Sequence, residues 1–506
     1  MRLIYIDIDT LRPDHLGCYG YHRKTSPNID KLAARSALFR NVHASDTPCL
    51  PSRTALLTGR FGIHNGVVNH GGEDADPVIG GPDRQFWSQL HFDSFPFRLQ
   101  QAGLKTVSVS SFAHRHSAFH WYTGFDETYN VGKFGRETAD EVHALASDWL
   151  ARHGKEDNWF LHVHMWDPHT PYRAAPEYGE PFADDPLPAW LTQEVRAEHW
   201  QGCGPHSAQE STGFAPNEAA RAWYPRQPQS IPDMAAVRAM FDGYDTGVLV
   251  ADEYVGKLLA QLAELGVDGE TAVMLSSDHG ETLGELSVYG DHQTADQFTT
   301  NVPLLLKWPG IEAGREYRAF HYQIDVTATI LELLGQPVPA SWDGASFAQS
   351  LKAGADEGRD HLVVSQGAWT CQRGVRFGNW MMICTLHDGY HLFDDVLLFD
   401  LEADPHEQRN LADHRPDIVE KGMGLLRAWE AEMLPTAARG RDPLVNVVKE
   451  GGPYHIRGKL RAYLDRLRET GREAKADALA LKYAEDLQRP AEPGKPPFPI
   501  RNLRLV

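Results

Sequence analysis

The chain is poor in cysteine: five in 506 residues, at Cys18, Cys49, Cys203, Cys371 and Cys384. An odd, scattered set with no pair at metal-site spacing argues against a disulfide framework. Cationic charge is also short, with 49 Lys and Arg against 69 Asp and Glu, a formal net charge of −20. That deficit argues against nucleic acid as a partner, because a polyanion needs a basic surface. No apolar run approaches the ~18 residues of a membrane helix, so no membrane partner is expected. The start, Met1-Arg2-Leu3-Ile4-Tyr5-Ile6, runs directly into an apolar strand without the charged, apolar and cleavage-site succession of a secretory signal. The expectation is a cytoplasmic protein, or a periplasmic or secreted one if a leader precedes these residues. Internal repeats are absent.

What is present is enough length for more than one core. Apolar runs at 2–8, 104–110, 159–166, 272–275 and 302–308 read as strands, and the spacing predicts helices over 28–39, 234–265 and 320–334. A boundary is expected between 345 and 362, giving a catalytic part, 1–355, and a C-terminal part, 356–506. Beyond it, short strands near 363–365, 374–377, 380–384 and 397–401 predict a smaller antiparallel sheet, followed by helices near 416–434, 458–470 and 472–488 and a Pro-rich tail. The stretch 171–232, rich in proline and aromatics and without periodicity, reads as a loop shaping a substrate pocket. Its Trp190 and Trp223 would stack on a sugar or tie the loop to the body.

Three motifs carry chemistry. The first strand ends in Asp7-Ile8-Asp9-Thr10-Leu11-Arg12-Pro13-Asp14, and the ends of buried strands are where open α/β sheets place their ligands. Cys49-Leu50-Pro51-Ser52-Arg53 is followed by Leu57-Thr58-Gly59-Arg60, and Ser276-Ser277-Asp278-His279-Gly280-Glu281 follows another apolar strand. Together they resemble the sulfatase family of the alkaline-phosphatase-like superfamily, over about residues 2 to 411. The resemblance implies an α/β fold with a large mixed, mostly parallel sheet flanked by helices and a smaller C-terminal α+β domain. It also implies that a formylglycine-generating, sulfatase-maturing enzyme oxidises Cys49 to formylglycine. A hydrated aldehyde offers two hydroxyls on one carbon, one to attack sulfur and one to expel the sulfate, which a thiol cannot do.

By the same resemblance Asp9, Cys49, Asp278 and His279 hold a divalent metal. Hard cations prefer oxygen, and an imidazole is compatible with calcium-type or manganese-type occupancy; calcium is the first expectation, with manganese or magnesium as alternatives. Many relatives carry a second Asp where this chain has Thr10, leaving one ligand to Thr10, Asp7 or water. Arg53 would position the nucleophile, and His169 matches a histidine that contacts the ester oxygen. Two lysines usual in the family are missing. Ser110-Ser111-Phe112-Ala113-His114-Arg115-His116 stands at the first, offering His116 or His114 as base and Arg115 as charge. His292 stands near the second, and His169 or His292 would be the acid that protonates the leaving alcohol. His70, in a Gly-rich loop running to Gly81, is a further substrate-binding candidate, while His162 and His164 read as packed residues. The activity implied is hydrolysis of the sulfate ester of a small sulfated sugar or an aryl sulfate. The alternatives are a phosphonate or phosphate monoester hydrolase of the same superfamily and a carbohydrate-binding pseudoenzyme.

Overall fold

The computed structural model describes residues 1–78 and 89–488, so Gly80, Gly81 and the Pro-rich tail from 489 lie outside the described residues. In chain order the strands are β1 (Arg2–Ile8), β2 (Ala37–His43), β3 (Asp46–Thr47), β4 (Lys105–Val109), β5 (Glu127–Tyr129), β6 (Trp159–Met165), β7 (Thr271–Ser276) and β8 (Thr282–Leu283). They continue with β9 (Tyr289–Asp291), β10 (Asn301–Lys307), β11 (Glu316–Tyr322), β12 (His361–Gln366), β13 (Cys371–Phe377), β14 (Trp380–His387) and β15 (Val396–Asp400). The large sheet runs β11-β2-β10-β7-β1-β6-β4-β5, parallel except for β10, which opposes both neighbours. This is the mostly parallel α/β sheet expected.

β1 sits between β6 and β7, and every residue of the three is buried. Because successive side chains of a strand point to opposite faces, Ile4, Ile6 and Ile8 join one core layer and Leu3 and Tyr5 the other. The first layer is closed by the helix Met234–Glu264, whose Val237, Phe241, Tyr244 and Val248 repeat at helical spacing. Asp233 caps it by accepting from the Ala236 amide at 2.9 Å. The second layer is closed by the helix Gln323–Leu333. Asp7 and Asp9 have the parity of Leu3 and Tyr5.

Two expected helices began or ended in the wrong place. The helix after Ser26 stops at Ala33, and Ala37–His43 is β2; the helix expected from 320 starts at Gln323, its first residues being the end of β11. In both cases the edge pairing of β2 with β11 and β10 overrides the local periodicity. The smaller sheet, β15-β14-β13-β12-β3, begins at His361 in the C-terminal part, but its far edge is β3, paired in parallel to β12 just before Cys49. The second sheet is thereby joined directly to the Cys49 segment.

Many imidazoles are buried. Burial, with Arg376 nearby, pushes His43 down to about 3. An unfolded imidazole titrates near ~6.5, so below that pH the unfolded chain binds the extra proton and the folded state loses about 1.4 kcal/mol per pH unit for this residue. Asp46 and Asp252, pushed up to about 6 by burial, act oppositely: the folded state keeps their protons longer and gains stability as pH falls through that range. The quantity to read is therefore a difference. Between pH 6.5 and 5 the parent is expected to lose about 1 kcal/mol per pH unit more than His43→Gln in urea unfolding, and parallel losses would contradict this.

Candidate active site

Parallel strands β1 and β7 end side by side, and the residues just past them, Asp9 and Asp278-His279, come together over the sheet edge. The helix Cys49–Thr58 lies across this edge with every residue buried. Cys49 is its first residue, and Arg53, one turn on, faces the same way. Pro51 is tolerated because the first turn has no intrahelical partner for its missing N–H. Ser52 donates to the Asp278 carbonyl at 2.6 Å and bonds Gln323 at 3.1 Å, tying the helix to the second motif. Gly59 ends the helix at φ 65°, where a Cβ would fall inside the Trp342 ring. Pro51, Ser52 and Gly59 of the motif thus each have a mechanical reason.

Arg53 is fully buried and spreads its guanidinium over three carboxylates. Nε donates to Asp7 Oδ2 at 3.0 Å, Nη1 to Asp9 Oδ2 at 2.9 Å and to Asp278 Oδ2, and Nη2 lies 2.7 Å from His164 Nε2. His164 also reaches Asp9 at 3.1 Å, and His162 reaches Asp7 at 3.3 Å. These two histidines are packed beneath the carboxylates, as expected.

The cluster has the chemistry of a cation site. Ligand atoms of Asp9, Cys49, Asp278 and His279 lie within 4.8 Å of one another. Asp7, Asp9 and Asp278 against one Arg53 leave two negative charges in a buried place, and Asp9 Oδ1 has no hydrogen-bond partner. Buried charge of that size calls for a counter-ion. The excess shows in Asp278, which burial and then Asp9, against Arg53, push up to about 7. His279 Nδ1 lies 2.8 Å from the Gly280 carbonyl, which only accepts, so the proton is there and the Nε2 lone pair faces Cys49 Sγ at 3.1 Å. The four residues fit a divalent metal. Asp7 is not in the ligand group; it is held by Arg53, while the Thr10 hydroxyl is buried without a partner. Burial, then Asp9 and Asp278, push the Cys49 thiol well above its usual value. As a thiol it is a poor nucleophile.

Cys49 forms the floor of a pocket of about 620 Å³, a volume in the range of small-ligand sites. His169, His292, His116, Arg115 and His70 all line it, and His114 does not. Residues Phe112–His116 form one helical turn and a half, so His116 packs against Phe112 while His114 turns outward to Asn130, 2.7 Å away. His292 Nδ1 meets Glu281 Oε2 at 3.2 Å, and its ring lies 4.2 Å from that of His279. His169 bonds the Thr170 carbonyl through Nδ1 and turns Nε2 to 4.0 Å from Asp9. His116 Nε2 is buried without a partner. Arg115 is exposed, its guanidinium 5.0 Å over the Trp166 ring.

The stretch 171–232 does not line this pocket. Trp190 stacks on His406 at 4.6 Å, fixing the loop to the body, and the Trp223 side chain lies outside the described residues. The loop instead supports the pocket from behind: His206 bonds Asp291 at 2.9 Å and meets the Trp369 ring edge-on at 5.3 Å. Sequence reasoning missed Phe134, Asp291, Trp369, Tyr454 and His455 in the lining. For Asp291 the signal was its place beside His292; for the others no motif marked them.

A family model described as Sulfatase matches residues 2–336, well over half of the chain. The chain belongs to the sulfatase family. A second model, the C-terminal region of N-sulphoglucosamine sulphohydrolase, matches residues 284–421 of this sulfatase. A relative from Formosa agariphila named ulvan-active sulfatase is 24% identical over 434 residues, 81% of this chain and 76% of the relative. Among solved structures, a protein in complex with its substrate D-glucosamine-2-N,6-O-disulfate superposes with TM-score 0.67 at 21% identity, over 87% of this sulfatase and 99% of that chain. Phosphonate monoester hydrolase of Agrobacterium radiobacter superposes with TM-score 0.65 at 19% identity, over 86% of this chain and 96% of its own. Both share the fold of this chain.

Proposed function

We propose that this sulfatase hydrolyses the sulfate ester of a small sulfated sugar, with aryl sulfates as the next candidates, through Cys49 after its oxidation to formylglycine by a maturing enzyme. The observation that carries the reading is the position of Cys49: it heads a buried helix between a doubly negative cluster and the floor of a pocket. Oxygen donors dominate that cluster once Cys49 is oxidised, which suits a hard divalent cation, with calcium as the first candidate and manganese or magnesium as alternatives. A divalent cation bound by Asp9, Asp278, His279 and the residue at 49 supplies Lewis-acid stabilisation of charge on the sulfate.

The chain's own groups do the rest. Arg53 fixes the carboxylates and the start of the helix, so the group at position 49 is held in one orientation. Burial, then His279, holds His292 well below its usual value and so neutral, while burial holds the Glu281 carboxyl protonated. His292 gives its Nε2 proton to the leaving alcohol as Nδ1 takes the Glu281 proton across 3.2 Å. His169, its proton held on Nδ1, presents the Nε2 lone pair to the reacting group. His116, with its Nε2 unpartnered, serves as the base that the missing lysine leaves to be filled. Arg115 adds positive charge at the rim.

The function is tested by sulfate release from a panel of sulfated mono- and disaccharides and 4-nitrophenyl sulfate, beside a phosphonate monoester. Sulfate esters are expected to be the faster class. A phosphonate monoester turned over faster than every sulfate would favour the hydrolase of the A. radiobacter type. Binding of a sulfated sugar with no release by metal-loaded, oxidised protein would favour a pseudoenzyme. The acid assignment has its own test. His292→Ala is expected to cost about 10²- to 10⁴-fold on sugar sulfates, whose alcohols need a proton to leave, and far less on 4-nitrophenyl sulfate. Equal losses on both would remove His292 from that role.

A further inference from the structure

The family models end at residue 421, yet the chain returns to the pocket at Tyr454 and His455. The return is built into the loop carrying His70. A Cβ at Gly71 would fall inside the Tyr454 ring, and one at Gly72 would meet the Glu450 carboxylate. Both glycines are therefore where a distant segment packs close; Gly72, at φ 87°, also serves the turn, whereas at Gly71 the close approach alone calls for glycine. Asn69 Oδ1 accepts from the Tyr454 amide at 3.3 Å, and Glu450 accepts from the Glu73 amide at 3.2 Å and from Arg457 at 3.0 Å. On the other side the His455 amide donates to the Ala368 carbonyl at 3.1 Å, and the His455 ring stacks on Trp369 at 4.3 Å and 19°. Segment 450–458 is thus a fixed wall, bonded along both edges.

The hydrogen bonds also set which nitrogen of His455 carries its proton. The Leu50 amide donates to His70 Nε2 at 3.4 Å, so the His70 proton is on Nδ1, which faces His455 Nε2 at 2.8 Å. That bond leaves His455 with its own proton on Nδ1. Nδ1 of His455 makes no hydrogen bond to any described residue, in a side chain that lines the same pocket as Cys49, His169 and His292. A stacked, hydrogen-bonded imidazole holding out one N–H is an oriented donor. Such a donor calls for an acceptor on the bound substrate, and beyond the sulfate itself a saccharide offers hydroxyl and ring oxygens where 4-nitrophenyl offers only a weakly accepting nitro group.

We propose that segment 450–458 is the specificity-determining wall of the leaving-group side of the pocket, with His455 donating through Nδ1 to an oxygen of a saccharide. This rests on the sulfatase reading above. The test uses the oxidised, metal-loaded chain of 506 residues, with the fastest saccharide of the panel and 4-nitrophenyl sulfate as probes. His455→Phe keeps a ring on Trp369 and removes the donor. The ratio of kcat/KM on the saccharide to that on 4-nitrophenyl sulfate is expected to fall about 10-fold or more, mainly through KM. Gly71→Ala, which displaces Tyr454 and leaves His455 in the chain, is expected to lower the same ratio and serves if the first variant does not unfold cooperatively like the parent. An unchanged ratio, or equal losses on both esters, would overturn the proposal and make His455 a prop for His70. Hydrolysis of 4-nitrophenyl sulfate with no saccharide turned over would overturn it while leaving the sulfatase reading intact. Release of sulfate from no ester at all would overturn both.

Discussion

Cys49→Ala is expected to abolish sulfate release, by at least about 10⁴-fold, the scale at which a covalent nucleophile's removal is felt, while leaving the fold intact. Alanine suits the first turn of a helix, and the side chain removed is small. Its buried sulfur touches His279 but holds no structural hydrogen bond beyond that contact. The unfolding midpoint should therefore stay close to that of the parent, and the metal-type cluster should lose one of its four donors. Cys49→Ser discriminates further. It restores an oxygen at the same place but offers one hydroxyl where the hydrated aldehyde offers two, so it is expected to take up sulfate once and not turn over. Steady turnover by either variant would contradict the assignment of the nucleophile.

Arg53→Ala is expected to give the largest loss of stability of any single change at the site. The guanidinium is the shared partner of Asp7, Asp9, Asp278 and His164, all of them buried. Removing one partner of a buried ion pair typically costs about 3–5 kcal/mol, because the charges left behind have no water to turn to. The loss should be greatest in chelator. Calcium should recover part of it in the variant and raise the midpoint of the parent too, since a ligand at 100 times its Kd adds about 2.7 kcal/mol to the folded state. Urea unfolding with and without calcium reads both effects independently of activity. A variant within about 1 kcal/mol of the parent in chelator, or a parent indifferent to every divalent cation, would contradict the electrostatic account of the cluster.

The parts legible in the sequence were those whose partners are close in the chain or fixed by strand ends. Cys49, Arg53, Asp9 and Asp278-His279 sit in short motifs at the ends of β1 and β7, where the register of parallel strands brings them together without further information. Phe112–His116 reads as a string of candidates until it is seen as a helical turn, after which His116 and His114 necessarily point apart. The wall was hidden for a different reason. His70 and His455 are 385 residues apart, and no local pattern near Gly451-Gly452-Pro453 says which glycines they approach. β3 was hidden likewise: two residues cannot announce a strand, and its partner β12 lies across most of the chain. The aromatic loop 171–232 misled because composition indicates a structured loop but not which side of the pocket wall it occupies.

The central claim is that turnover belongs to an oxidised Cys49, and the mass of the peptide containing that residue tests it most directly. The mass is to be measured on protein whose active fraction has been counted by burst of product. The account predicts the formylglycine aldehyde or its hydrate in proportion to that active fraction, with unconverted thiol accounting for the inactive remainder. Fully active protein carrying only the intact Cys49 thiol would contradict it.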